Sequence, residues 1–169
     1  DDGNIVYTGG IDNIIRKWDL RKGGEPDGAC LSLRGHSDTI TGLAVSRDNK
    51  TLLSNSMDCS LRAWNIQPFV AGTAADEVEQ GAARYEKLFQ GHHHGAEKNL
   101  LKCGWSRNMD LVCAGSADRV VHIWDANTTE IAYQLPGHMG SVNEVCFHPS
   151  QAIIASCSTD KNIWLGELA

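Results

Sequence analysis

The chain has 169 residues, 41% of them hydrophobic and 21% charged, which is the composition of a globular protein and not of a disordered one. Its formal net charge of −6 argues against a bare phosphate-binding surface, which would show a basic face. No apolar run approaches the eighteen or so residues of a membrane helix and no signal pattern opens the chain, whose missing initial methionine predicts a start inside a longer protein.

In chain order, the first predicted unit covers 1–34 and centres on Thr8-Gly-Gly-Ile-Asp12, with Trp18-Asp19 six residues after the aspartate. Arg16, Lys17, Arg21 and Lys22 around this tryptophan read as solvated strand-end and turn positions. The second unit, 35–90, opens on Gly35-His36 and alternates in character over Ile40–Val45, the period of a strand. A polar turn at Arg47–Lys50 follows, then Ser54-Asn-Ser-Met-Asp58 and Leu61-Arg-Ala-Trp64-Asn65. The small and acidic residues of 69–84 interrupt this unit and predict a mobile surface loop.

The third unit, 91–136, opens on Gly91-His92-His93-His94-Gly95, turns at Arg107–Asp110 and continues through Ala114-Gly-Ser-Ala-Asp118 to Trp124-Asp125. The fourth, 137–169, opens on Gly137-His138 and reaches Ser156-Cys-Ser-Thr-Asp160, but Gly166-Glu167 stands where its tryptophan belongs. Trp164 lies two positions early, in register with His122, and is not counted as the missing one.

The four aspartates recur at 46, 60 and 42 residues, and both His36 and His138 precede their tryptophan position by 28. A period of roughly 40–45 residues carrying these elements is identified as that of WD40 repeats. The implied fold is all-β: a WD40 β-propeller, here a partial ring of about three and a half four-stranded antiparallel blades. The first blade would lack its first strand and the last its outer strand. Such a piece would expose unpaired edges, so further blades are expected in the natural protein.

In WD-repeat proteins the turn aspartate, the Gly-His histidine, a strand hydroxyl and the tryptophan share a hydrogen-bond chain. The resemblance implies such a chain through His36, Ser54 or Ser56, Asp58 and Trp64. Its counterparts are Asp12 and Trp18, then Ser116, Asp118 and Trp124, and last His138, Ser156, Ser158 and Asp160. Ser54 and Ser56 are two apart and share a face, so alternation does not choose between them. A buried carboxylate must be partnered and a buried indole N–H wants an acceptor. Burying each tryptophan contributes roughly 4–6 kcal/mol before opposing terms.

No catalytic constellation emerges. The aspartates occur once per blade and cannot pair as acid and base, and His36 with Ser37 or His138 with Ser141 belong to a repeated structural element. The run His92–His94 has the residue type to hold zinc or nickel. It occupies the Gly-His position of the third unit, however, and reads as a variant repeat histidine with exposed neighbours. Cys30, Cys59, Cys103, Cys113, Cys146 and Cys157 form no CxxC pair and lie largely in apolar runs, which favours a reducing compartment. No enzyme activity, cofactor or metal is predicted.

Residues outside the repeat pattern narrow the reading: Ile66-Gln-Pro-Phe69, Phe89-Gln-Gly91, Glu97-Lys-Asn-Leu-Leu101, Gly115-Ser-Ala-Asp-Arg119, Leu135-Pro-Gly-His138, Gly140-Ser-Val-Asn-Glu-Val145, Phe147-His-Pro149 and Gly166-Glu-Leu168. Together they resemble the carboxy-terminal half of the WD-repeat proteins of the U5 small nuclear ribonucleoprotein, which also end in Gly-Glu at the missing tryptophan. The 69–84 loop and the histidine run depart from that pattern. The resemblance implies a nuclear, non-catalytic scaffold of pre-mRNA splicing. Its partners would be the large U5 scaffold protein and other spliceosome proteins, with RNA touched only indirectly and no membrane or small-molecule substrate.

A rival reading rests on Trp18-Asp-Leu-Arg21, which resembles the box that attaches WD-repeat substrate receptors to cullin-4 ubiquitin ligases. The expected partner surface comprises the Gly-His loops and the turns before each aspartate: Asp38, Thr39, Met57, Ala117, Met139 and Thr159. The 69–84 loop would be an outlier.

Overall fold

The computed structural model describes residues 3–22, 29–68 and 84–168, so most of the insertion, 69–83, lies outside the described residues. Among the described residues, alternating and β-branched segments form fourteen strands in four antiparallel sheets, and no α-helix occurs. The all-β expectation holds. The first sheet holds β1 (Ile5–Thr8), β2 (Ile14–Asp19) and β3 (Ala29–Arg34). The second holds β4 (Ile40–Val45), β5 (Thr51–Ser56), β6 (Ser60–Asn65) and β7 (Tyr85–Phe89). The third holds β8 (Cys103–Trp105), β9 (Leu111–Ala114), β10 (Val121–Asp125) and β11 (Ile131–Leu135). The fourth holds β12 (Val142–Phe147), β13 (Ile153–Ser158) and β14 (Ile163–Glu167).

The core consists of three seams between successive sheets. Ile15, Leu33, Leu52 and Trp64 fill the first, Leu53, Phe89, Val112 and Trp124 the second, and Cys113, Ile123, Val142 and Ile154 the third. Leu52 and Leu53 are adjacent on β5 yet serve different seams, because neighbouring strand residues point to opposite faces. Backbone bonds also cross the seams, from the Ile40 amide to the Gly10 carbonyl at 3.1 Å and from the Val142 amide to the Ser116 carbonyl at 2.9 Å.

Each turn aspartate is followed by a residue in the left-handed region: Asn13 (φ 64°), Cys59 (φ 60°), Arg119 (φ 72°) and Lys161 (φ 68°). That conformation costs a non-glycine residue about 1 kcal/mol or more. The aspartate offsets part of it, since its Oδ1 accepts the amide two residues on, at 3.4, 2.9, 3.0 and 2.8 Å in the four turns.

One expectation needs correction. Arg84, assigned to the surface loop, is buried immediately before β7 and donates to the carbonyls of Asn65 at 3.2 Å and Gln67 at 2.6 Å. Its guanidinium ties the two ends of the insertion together.

Candidate functional site

The second sheet carries a continuous polar chain behind its loops. The Trp64 indole donates to Ser54 Oγ at 2.8 Å, and Ser54 Oγ lies 2.7 Å from His36 Nε2. His36 Nδ1 lies 2.9 Å from Asp58 Oδ2. These partners set the tautomer, with Nδ1–H donating to the carboxylate and Nε2 accepting from the serine. Asp58 also accepts from the Ser37 amide, the Ser60 amide and the Ser60 hydroxyl. Burial pushes its carboxyl up, but the bonds from His36, Ser60 and Ser37 outweigh this and hold it well below the usual carboxylate range.

The structure separates the two serines that alternation leaves equivalent. Ser54 stands in the chain, whereas Ser56 donates to the Asp38 carbonyl at 2.8 Å and accepts the Asp58 amide at 3.2 Å. Ser158 likewise accepts the Asp160 amide, and Ser116 accepts the His93 amide at 3.0 Å. Ser56, Ser116 and Ser158 thus brace loop backbone, whereas Ser54 and Ser156 meet a histidine ring.

The fourth sheet repeats the arrangement. His138 lies 3.0 Å from Asp160 and 2.9 Å from Ser156. The Met139 amide bond leads the interactions that hold the Asp160 carboxyl at about 2. Trp164 pairs with Ser156 across the strands, as His122 pairs with Ala114, and Gly166 pairs with Ile154 as Trp64 does with Leu52. The tryptophan register is therefore occupied by glycine. The ring of Trp164 nevertheless packs edge-on to His138 at 5.7 Å, matching Trp64 on His36 at 6.1 Å. Positions two apart share a strand face, so an early tryptophan still reaches the histidine. In the first sheet Trp18 donates to Thr8 Oγ1 at 2.8 Å, while Asp12 pairs with Arg16.

The third sheet is wired differently. Ala114 stands at the Ser54 position and offers no hydroxyl, so Trp124 donates to the Gln90 carbonyl at 2.8 Å. Asp118 pairs with His122 at 2.7 Å, and that ring stacks on Trp124. His92 is buried and reaches across the seam to Asn55 Oδ1 at 2.8 Å, while Asn55 donates to the Leu101 carbonyl. His93 is exposed; His94 is half-buried with both ring nitrogens shielded, so the expectation of exposed neighbours fails for it. No group of three potential metal ligands occurs among the described residues.

Gapless register of the four repeats points to Thr8 and His122, whereas Asn55 and Gln90 carry no signal in the sequence. Of the expected surface residues, Asp38, Met139 and Thr159 are exposed and Thr39, Met57 and Ala117 half-buried. The aspartate turns are stapled to the Gly-His loops by the amides of Met57, Ala117 and Thr159, which donate to the carbonyls of Thr39, His93 and Ser141 at 2.9, 2.8 and 3.0 Å. The polar chains thereby position loops at one end of all three seams.

Acid should weaken this architecture in two stages. Burial, then the neighbouring His94 and His122, pull His92 from 6.5 down to about 3. The folded state keeps it neutral while the unfolded chain binds a proton, so stability falls as pH drops from about 6.5 toward 3. Asp58 and Asp160, held low, contribute stability that is present above the ordinary carboxylate range and lost below it. Urea midpoints measured between pH 7 and 4.5 should fall, and His92→Gln should make that slope shallower by up to about 1 kcal/mol per pH unit. An unchanged slope would place the proton uptake elsewhere.

Comparison with known proteins agrees with this architecture. The family model described as the second beta-propeller of WD repeat-containing protein 75 matches residues 31–164. The human U5 small nuclear ribonucleoprotein 40 kDa protein is 44% identical over 137 residues, covering 81% of this chain and 36% of that protein. The pre-mRNA-splicing factor cwf17 of Schizosaccharomyces pombe is 48% identical over 166 residues, covering 98% of this chain and 44% of that protein. The Dictyostelium discoideum U5 small nuclear ribonucleoprotein 40 kDa protein is 47% identical over 168 residues, 99% of this chain and 44% of that protein. The chain spans less than half the length of these relatives.

Proposed function

Because the chain belongs to the WD-repeat β-propeller family, we propose that it is part of a non-catalytic scaffold subunit of the U5 small nuclear ribonucleoprotein, acting in the nucleus in pre-mRNA splicing. The observation that carries this reading is the identity of 44–48% to proteins named for that particle and for splicing, spread over most of the chain. The partners are the large U5 scaffold protein and other spliceosome proteins, and RNA is held by them. A binding role is supported by the polar chains, which serve to position the loops at one end of the seams.

The docking face proposed for these partners is the end carrying Asp38, Thr39, Met57, Ala117, Met139 and Thr159. Met139 is 75% exposed there, an apolar side chain on a backbone fixed by the bond from its amide to Asp160. Rigid apolar anchors of this kind suit a protein interface.

Affinity purification of the tagged full-length protein from nuclear extract should recover U5 RNA together with the large scaffold protein. Asp38→Lys combined with Met57→Asp should reduce that recovery severalfold without lowering thermal stability by more than a few degrees. Recovery of a cullin-4 ligase without U5 RNA would overturn the splicing reading, and undiminished recovery by the double variant would move the docking face elsewhere. In the rival Trp18–Arg21 box, Asp19 already engages the Arg21 guanidinium at 2.9 and 2.8 Å.

A further inference from the structure

Antiparallel strand direction puts the turns β4–β5, β8–β9 and β12–β13 at the end of the sheets opposite the Gly-His loops. A groove of about 470 Å³ runs across that end, with Trp105 and Phe147 among its walls and Arg47, Arg107 and His148 as its charged or titratable lining. It adjoins a second hollow of about 380 Å³ that shares Arg107, Phe147 and His148.

The side chains that dominate its polar lining present donors. Arg47 is exposed and has no hydrogen-bond or ion-pair partner among the described residues. Arg107 spends one N–H on the Pro149 carbonyl at 3.0 Å, which stretches the guanidinium across the seam between the third and fourth sheets. His148 Nδ1 accepts the amides of Ser150 at 3.2 Å and Gln151 at 3.1 Å, so the proton of the neutral ring sits on Nε2 as a further donor. The neighbouring carboxylates turn back into their own turns, Asp48 onto Ser46 and the Lys50 amide, Asp110 onto Ser106. The Trp105 indole N–H is held by the Ala44 carbonyl at 3.1 Å, which fixes the ring as a wall.

We infer that this groove docks an acidic segment of a partner protein, one in which a carboxylate stands next to an aromatic or aliphatic side chain. Two guanidiniums and an imidazole N–H complement the carboxylate, and the Trp105 and Phe147 rings cover its apolar neighbour. A phosphate chain fits less well, because it would have to run on past the groove over a protein of net charge −6 with Asp48 and Asp110 close by. This surface is separate from the loop face assigned above, and its occupancy does not depend on that assignment.

The test is selection of a randomised twelve-residue peptide library on the full-length protein, in parallel with its Arg47→Glu/Arg107→Glu variant. Both arginines are exposed and, among the described residues, only the Arg107 bond to the Pro149 carbonyl is lost, so the variant should melt within a few degrees of the parent. The wild type should enrich sequences pairing Asp or Glu with an aromatic or aliphatic residue. A selected peptide should bind the variant at least about tenfold more weakly, and its Asn/Gln analogue should bind the wild type more weakly by a similar factor. Equal enrichment on both proteins, or enrichment without acidic residues, would overturn the proposal. So would tighter binding of a twelve-nucleotide uridine RNA than of any selected peptide, lost in the same variant.

Discussion

Trp64→Ala should destabilise the protein by about 3–5 kcal/mol. The ring is 1% exposed and sits in the seam between the first two sheets with Ile15, Leu33 and Leu52. Its edge meets His36 at 6.1 Å and Tyr85 at 5.9 Å, and Gly35 approaches so closely that an added Cβ would lie 3.0 Å from Cη2. Truncation therefore opens a cavity in a seam whose backbone cannot close over it. It also strips the donor from Ser54, loosening the chain that runs on to His36 and Asp58. Trp64→Phe keeps most of the buried area and loses the N–H, so it should cost about 1–2 kcal/mol. Trp164→Ala should cost less than Trp64→Ala, since Trp164 is 49% exposed on the described residues. Urea titration followed by circular dichroism gives the comparison. A loss below about 1 kcal/mol for Trp64→Ala would mean that the seam collapses freely and that burial does not hold the blades together.

Gly115→Ala should cost about 3 kcal/mol although it adds a single methyl group. A Cβ at this position would lie 2.2 Å from the Val142 carbonyl oxygen and 3.1 Å from its carbon. The obstacle is backbone of the next sheet and cannot rotate away. β12 must shift, which strains the bond from the Val142 amide to the Ser116 carbonyl and the contact of the Cys113 thiol with the Val145 carbonyl. Gly10→Ala is the control, because nothing lies within 4 Å of the place its methyl group would take; it should stay within about 0.5 kcal/mol. Thermal melts of the two variants should separate by several degrees. Equal melting temperatures would show that the third and fourth sheets slide apart at little cost.

These two residues stand differently to the sequence. Trp64 is legible from its recurrence with Trp18 and Trp124 six residues after an aspartate. The demand for glycine at 115 is not, because Gly9 and Gly115 occupy a repeat position that in the second sheet belongs to Asn55. There the seam leaves room for an amide that bonds the Leu101 carbonyl and His92. How close two sheets come is a property of both, and a repeat aligned on itself contains only one.

The sequence by itself determined what depends on near neighbours. Alternation specified strands, the aspartate two residues before an amide it can accept specified the tight turns, and recurrence specified the units and the tryptophan missing from the last. Tertiary structure decided the partners of the polar groups. It chose Ser54 over Ser56, sent Trp124 to a carbonyl 34 residues away and His92 to a side chain 37 residues away, and brought the Trp164 ring to the histidine its register would have denied it. It also buried Arg84 and gathered Arg47, Arg107 and His148 from three turns into one groove. The reason is one of range. A strand's period and a turn's bond act within a few residues, whereas a buried donor takes whichever acceptor packing leaves within about 3 Å of it, and packing is settled only when the sheets meet.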